Sequence, residues 1–287
     1  MDAERYHFKV GTFDCIAVND AVEPSPITDL AMNVPEEQLA QALAERGLSS
    51  TELIVAFNCL LIHAGEHCVL VDTGCGHGMD RLDGKLLENL QAEGLAPQDI
   101  DRIFLTHADG DHVHGLMDPE GRLVFPNAHY FMWKGMWDFW NSETTLAQLP
   151  EAMTAFGRKM LPVIKDRTEP VEPETEFLPG FRVIPTPGHR PGHSSLIISS
   201  AGEHLVHLGD AVGHPILIER PDWRWRFDTS PEQAGSDRRQ LLDRAADQQA
   251  LVFGAHFPFP GLGRVTRQGK SWRWEPIIQG AHSSGAR

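Results

Sequence analysis

The chain is poor in cysteine: four in 287 residues, at positions 15, 59, 68 and 75, with no Cys-x-x-Cys spacing among them. That excludes a thiolate zinc site and a dithiol redox pair, so any metal must be held by nitrogen and oxygen. Basic residues are also short, 25 Lys and Arg against 40 Asp and Glu, for a formal net charge of −15. Neutralising a phosphate backbone or an anionic lipid surface needs a basic face, so neither nucleic acid nor membrane is an expected partner, and a small neutral or cationic substrate fits better. No apolar run is long enough to span a bilayer, and the opening Met1 to Tyr6 lacks the basic segment and apolar stretch of an export signal. A cytoplasmic location with reduced thiols is the expectation. The serine-hydrolase signature Gly-x-Ser-x-Gly is missing as well.

What is present is a core-forming composition, 41% hydrophobic, together with fifteen histidines. Thr12 to Asn19, Glu52 to His63 and His67 to Val71 are rich in Val, Ile, Leu and Phe and read as paired strands. Leu30 to Arg46 has helix-forming composition with Pro35 in its first turn, and Met79 to Glu93 places Leu82, Leu86, Leu87 and Leu90 at helical spacing. Asp99 to Leu105 returns to strand, so strand and helix alternate in the manner of an α/β fold. The aromatic stretch 130–140 either packs the core or walls a pocket, and the chain to about Lys165 reads as helical. The second half repeats the pattern: strands at Phe181 to Ile184, Ser195 to Ile198, His204 to Leu208 and Leu251 to Phe253, and a helix from Pro231 to Gln249. A hairpin around Gln268 to Lys270 follows. With no linker between the halves, residues 1–279 are expected to form a single domain, and 280–287 a flexible tail.

Directly after the apolar Arg102 to Leu105, one six-residue stretch carries His107, Asp109, Asp111 and His112. A buried strand ending in a polar loop projects such side chains into one pocket, and alternating imidazole and carboxylate suit zinc or another first-row divalent ion. Three further segments end an apolar strand with a candidate donor: Thr186 to His193, Leu205 to Asp210 and Leu251 to His256. Together with Val69 to Gly74, which carries Asp72, they resemble in order the five motifs of the metallo-β-lactamase superfamily, over about residues 10 to 275.

The resemblance implies a four-layer αββα sandwich with two divalent ions along one edge of its sheets. Carried over position by position, His107, Asp109 and His193 would hold the first ion and Asp111, His112 and His256 the second, with Asp210 bridging. Asp72 would orient a ligand histidine or tie down loop backbone, and His189 would order its loop instead of touching metal. Where the superfamily motif has a second histidine this chain has Asp109. Either Asp109 supplies a harder oxygen, moving the preference from zinc toward iron or manganese, or it has left the site, which then holds one ion. His114 either lines the pocket or sits behind the ligands.

Such ions would activate water, with Asp111 as catalytic proton acceptor, making the chain a metal-dependent hydrolase. The segment Ala255 to Arg264 and the hairpin tryptophans Trp272 and Trp274 are similar to the lactonase and methyl parathion hydrolase branch. A lactone, carboxylic ester or phosphotriester is thus the expected substrate, and a homodimer the expected assembly. The alternatives are an iron-pair oxidoreductase or dioxygenase-like enzyme, prompted by Asp109, and a metal-binding sensor module without turnover.

Overall fold

Alternating apolar residues build two seven-stranded sheets. The computed structural model describes residues 4–79, 82–269 and 271–277. In the first sheet the strands lie in chain order: β1 (Arg5–Val10), β2 (Phe13–Pro26), β3 (Glu52–Ala64), β4 (His67–Val71), β5 (Arg102–Leu105), β6 (His129–Trp133) and β7 (Thr168–Val171). Pairing is antiparallel from β1 to β4 and parallel from β4 to β7. The second sheet is ordered β14-β13-β12-β11-β10-β9-β8, from β8 (Glu176–Leu178), β9 (Phe181–Pro185), β10 (Ser194–Ser200), β11 (Glu203–His207), β12 (Leu251–Phe253), β13 (Leu262–Gln268) and β14 (Ser271–Pro276). Here β11 and β12 run parallel and the other neighbours antiparallel.

Each strand sorts its side chains by parity. Cys15 and Ala17 of β2, with Val69 and Val71 of β4 and Phe104 of β5, turn inward against Phe181, Val183, Leu196, Ile198 and Phe253 of the second sheet. Ile16, Val18, Leu70, Ile103 and Leu105 turn outward and are roofed by helices. The helices are α1 (Glu36–Ala44), α2 (Leu86–Ala92), α3 (Gly110–Val113), α4 (Lys134–Trp140), α5 (Glu143–Leu146), α6 (Glu151–Met160), α7 (Ile216–Glu219) and α8 (Pro231–Asp247). Leu86 and Leu90 of α2, Met136 of α4 and Met160 of α6 cover the first sheet. Leu39 and Leu43 of α1, Leu217 of α7 and Leu241 and Leu242 of α8 cover Ile184, Ile197, Val206 and Val252 of the second. The result is the expected four-layer αββα order. Burying each Leu, Ile or Phe contributes about 1.5–3 kcal/mol, so a one-residue slip of β2, which would exchange its two faces, is strongly disfavoured.

Several elements differ from the expectation. The helix expected over 79–93 starts only at Leu86, where the Asp20 carboxylate takes the backbone N–H groups of Cys75 and Leu86 (2.6 and 2.7 Å) and residues 82–85 stay outside the helix; positions 80 and 81 lie outside the described residues. Leu82 therefore leaves the helical stripe and lines a cavity. The helix expected from Leu30 begins at Glu36, with Pro35 as its N-cap and not within its first turn. The aromatic stretch 130–140 divides into β6 and α4, and Tyr130, Met132 and Met136 are core residues. Trp272 and Trp274 likewise pack in or against the core outside the second sheet. The expected tail at 280–287 lies outside the described residues.

Candidate metal centre

Strands β4, β5, β11 and β12 deliver polar loops to one edge of the sandwich. After β5, His107 and Asp109 lead into the single turn of α3, which carries Asp111 and His112. The loop between β9 and β10 brings His189, the end of β11 brings Asp210, and the end of β12 brings His256. These side chains form two groups that meet at one carboxylate. In the first, Asp111 Oδ2 lies 3.2 Å from His112 Nε2 and 3.3 Å from His256 Nε2. Asp210 closes it, with Oδ1 at 3.3 Å from His112 Nε2 and Oδ2 at 3.0 Å from His256 Nε2. In the second group, Asp109 Oδ2 lies 3.7 Å from both His107 Nε2 and His189 Nε2. Asp210 Oδ2 lies 3.9 and 3.5 Å from those same nitrogens.

A cation fits this arrangement. Ligands about 2.0–2.2 Å from a tetrahedral ion stand roughly 3.3–3.6 Å apart, close to the spacing seen here. The His107, His112 and His189 Nε2 atoms and Asp210 Oδ1 are buried with no hydrogen-bond partner in the protein. Buried polar atoms are nearly always satisfied, so converging orphans of this kind mark a place built for another species.

The outer ring nitrogens of His112 and His256 are tied down from behind. Asp72 Oδ2 accepts from His112 Nδ1 at 2.7 Å, while its two oxygens accept from the Thr106 backbone N–H and hydroxyl, each at 2.8 Å. The residue both orients a histidine and fixes the ligand loop, and it does so in the left-handed region at φ 62°. His256 Nδ1 faces the Ala56 carbonyl at 3.1 Å. His189 stacks on Trp225, and its Nδ1 lies 3.5 Å from Asp228 Oδ1. Asp228 is in turn held by the fully buried Arg238 at 2.6 Å.

The electrostatics follow from this packing. Burial, reinforced by His112, lowers the pKa of His107. Burial opposes charge on Asp109 and Asp210, but the imidazoles facing them hold both well below the ordinary carboxylate value. Burial also opposes charge on His112 and His256, and is outweighed by Asp111 and Asp210, which raise His112 well above its usual value and His256 to about 10. In the metal-free protein, His112 and His256 thus favour their protonated forms beside the carboxylates.

One candidate is corrected. His193 does not point into either group: its Nδ1 is bonded to Thr186, and its Nε2 accepts from the Asp210 backbone N–H at 2.9 Å. With both nitrogens engaged it positions Asp210, and Gly209 makes this possible, since a Cβ there would come 2.6 Å from His193 Nε2. His189, expected only to order its loop, is the residue brought to His107 and Asp109. Each of the other six candidates, His107, Asp109, Asp111, His112, Asp210 and His256, joins a donor group. His114 sits behind them, its Nδ1 on the Cys75 carbonyl at 2.9 Å and its ring edge-on to Phe156. Asp228, Arg238 and Arg190 carried no sequence signal beyond being charged.

The centre opens into a cavity of about 510 Å³. Leu30, Leu53, Val55, Phe57, Phe156 and Trp225 are among the apolar groups in its wall, and Asp109, Asp111 and Asp210 lie at its floor. The aromatic wall comes from residues such as Trp225 and Phe227 and not from the 130–140 stretch.

A four-layer sandwich with buried carboxylates and imidazoles at one edge of its sheets is the architecture of the metallo-beta-lactamase superfamily, and the chain belongs to it, the family model matching residues 56–256. More particular likenesses narrow the class. AidC, a dizinc quorum-quenching lactonase solved in complex with a product, superposes with a TM-score of 0.87 at 30% identity, over 96% of this chain and 98% of that one. The hydrolase AbOPH of the beta-lactamase superfamily gives 0.86 at 28% identity, over 97% and 99%. The N-acyl homoserine lactonase of Bacillus cereus is 27% identical over 224 residues, 69% of this chain and 80% of that protein. Family, fold and donor groups together support divalent-metal binding and metal-dependent hydrolysis. Among the described residues no helix is long and apolar enough to cross a membrane.

Proposed function

We propose that the chain hydrolyses a lactone, carboxylic ester or phosphotriester with two divalent ions, zinc in the first instance. The first ion would be held by His107, Asp109 and His189, the second by Asp111, His112 and His256, with Asp210 shared between them. The carrying observation is the convergence of partnerless buried donors on the Asp210 carboxylate at the floor of a largely apolar cavity. Bound ions of this kind make water nucleophilic near neutral pH and draw charge from a carbonyl or phosphoryl oxygen. The chain's own residues supply the rest. Asp111 turns one face to the imidazoles and lines the cavity, with its carboxylate well below the usual range because His112 and His256 outweigh its burial. As a carboxylate at the cavity surface, Asp111 is placed to take a proton from the attacking water and pass it to the leaving group. Asp72 keeps His112 from rotating and Trp225 stacks against the His189 ring, while the apolar wall receives the substrate's hydrocarbon portion and excludes bulk water.

The likeness to AidC and to the Bacillus cereus enzyme, both lactonases, supports the lactone arm of this reading, and the likeness to the hydrolase AbOPH supports hydrolysis. Elemental analysis of protein purified without chelator, beside a panel of acyl lactones, aryl esters and phosphotriesters, tests it. About two ions per chain and turnover of one class, lost with chelator and restored by zinc, is the expected result. Fully loaded protein that cleaves none of the three classes would refute it.

A further inference from the structure

Asp109 does not face the donor group alone. Arg190 Nε lies 2.8 Å from Asp109 Oδ2, the same oxygen that stands 3.7 Å from His107 Nε2 and from His189 Nε2, and 3.1 Å from Oδ1. The guanidinium is held on its other side as well. Its Nη1 donates to the Phe227 carbonyl and lies 3.3 Å from the His189 carbonyl and 3.4 Å from the Thr229 hydroxyl. Arg190 follows His189 directly, so the loop that brings the imidazole also brings the positive charge.

Resting on the metal-centre reading above, we infer that Arg190 is the counter-charge that makes Asp109 work in place of a neutral imidazole. A carboxylate in that position adds one negative charge to the group, and the adjacent guanidinium cancels it. The guanidinium also competes with the cation for Oδ2, which weakens Asp109 as a donor. The geometry agrees: the spacings in the group containing Asp109 are 3.5–3.9 Å, against 3.0–3.3 Å in the group containing Asp111, where no guanidinium of the described residues intrudes. Arg190 is thus a positioning residue that sets how tightly this half of the centre holds its ion, keeping the two halves unequal.

The test is a cobalt titration of the chelated full chain, followed by visible absorbance and calorimetry, on wild type, Arg190→Gln, Arg190→Lys, Asp109→Asn and the Asp109→Asn/Arg190→Gln double variant. In Arg190→Gln one of two binding steps should tighten about tenfold or more, because Asp109 Oδ2 is freed from the guanidinium and becomes a full donor, while the other step stays put. Arg190→Lys keeps the charge without the planar fork and should fall between it and wild type. In the Asp109→Asn background, Arg190→Gln should shift that step far less, since its action runs through the carboxylate. Unchanged affinities in Arg190→Gln, or an equal shift with and without Asp109, overturn the inference. So does weakening of both steps with a lowered melting temperature, which assigns Arg190 to clamping the 227–229 loop. A wild type that binds a single ion insensitive to Arg190→Gln also refutes it, leaving the metal reading intact. A wild type that takes up no cobalt, zinc, manganese or iron removes the metal reading and this inference with it.

Discussion

His189 and His193 stand four residues apart on one loop and have opposite roles. One offers a buried, partnerless Nε2 to the centre, and the other spends its Nε2 on the Asp210 backbone. His189→Ala should therefore lose about one ion per chain by elemental analysis. His193→Ala should retain both donor groups and lose roughly 1–3 kcal/mol in urea denaturation, since the Asp210 N–H is left buried without an acceptor. Retention of both ions by His189→Ala would reverse the assignment. The sequence could not choose between the two, because the phrase Pro-Gly-His occurs twice and either copy satisfies the motif. The distinguishing fact is that His193 abuts the first residue of β10, where the chain is already committed to the sheet, while His189 lies out in the loop. The dense cluster His107 to His112 was legible for the converse reason: four donors within one turn of a strand end must share a pocket wherever the chain goes next.

At the scale of elements, the β9–β10 loop is set by its contact with α8. The Gly188 N–H donates to Asp237 of that helix at 2.8 Å, and a Cβ on Gly188 would come 2.1 Å from the Ala234 backbone nitrogen. Gly188→Ala must push the loop off the helix and carry His189 with it. The expected outcome is a chain that keeps its far-UV circular dichroism but binds only one ion with high affinity, read by metal titration. Two undisturbed binding steps would show that the loop can give way without moving its histidine. Strands buried on both faces, such as β4 and β12, could be read from their continuous apolar runs, and their observed bounds agree with the expectation. β1, β7 and β8 escaped notice because they are short or partly exposed and carry polar residues, so their ladder bonds come from the neighbouring strand and not from their own pattern. The late start of α2 was hidden for a different reason: the carboxylate that takes its first N–H, Asp20, lies 66 residues away from Leu86 in the chain.

For the molecule as a whole, cation and protons contend for one place. The raised value of His256, about 10, and that of His112 mean that the metal-free fold gains stability from protons that are fully bound below the unfolded-state value of 6.5. That stability is lost as the pH rises toward 10. Metal uptake expels the same protons, so affinity should climb with pH by up to about tenfold per unit for each proton displaced. Chelation should accordingly lower the melting temperature more at pH 9 than at pH 6, and zinc loading near pH 7.5 should release protons, measurable by calorimetry in buffers of different ionisation enthalpy. A melting-temperature gap that narrows with rising pH would contradict this account. The donors are also dealt from both sheets: His107, Asp109, Asp111 and His112 follow β5, whereas His189, Asp210 and His256 follow β9, β11 and β12. If the polypeptide were cut in the connection between Val171 and Glu176, each fragment would hold an incomplete claw. Reassembly of the halves would complete the donor set, and during synthesis the nascent N-terminal half would leave the ribosome with its ligands waiting for partners not yet translated.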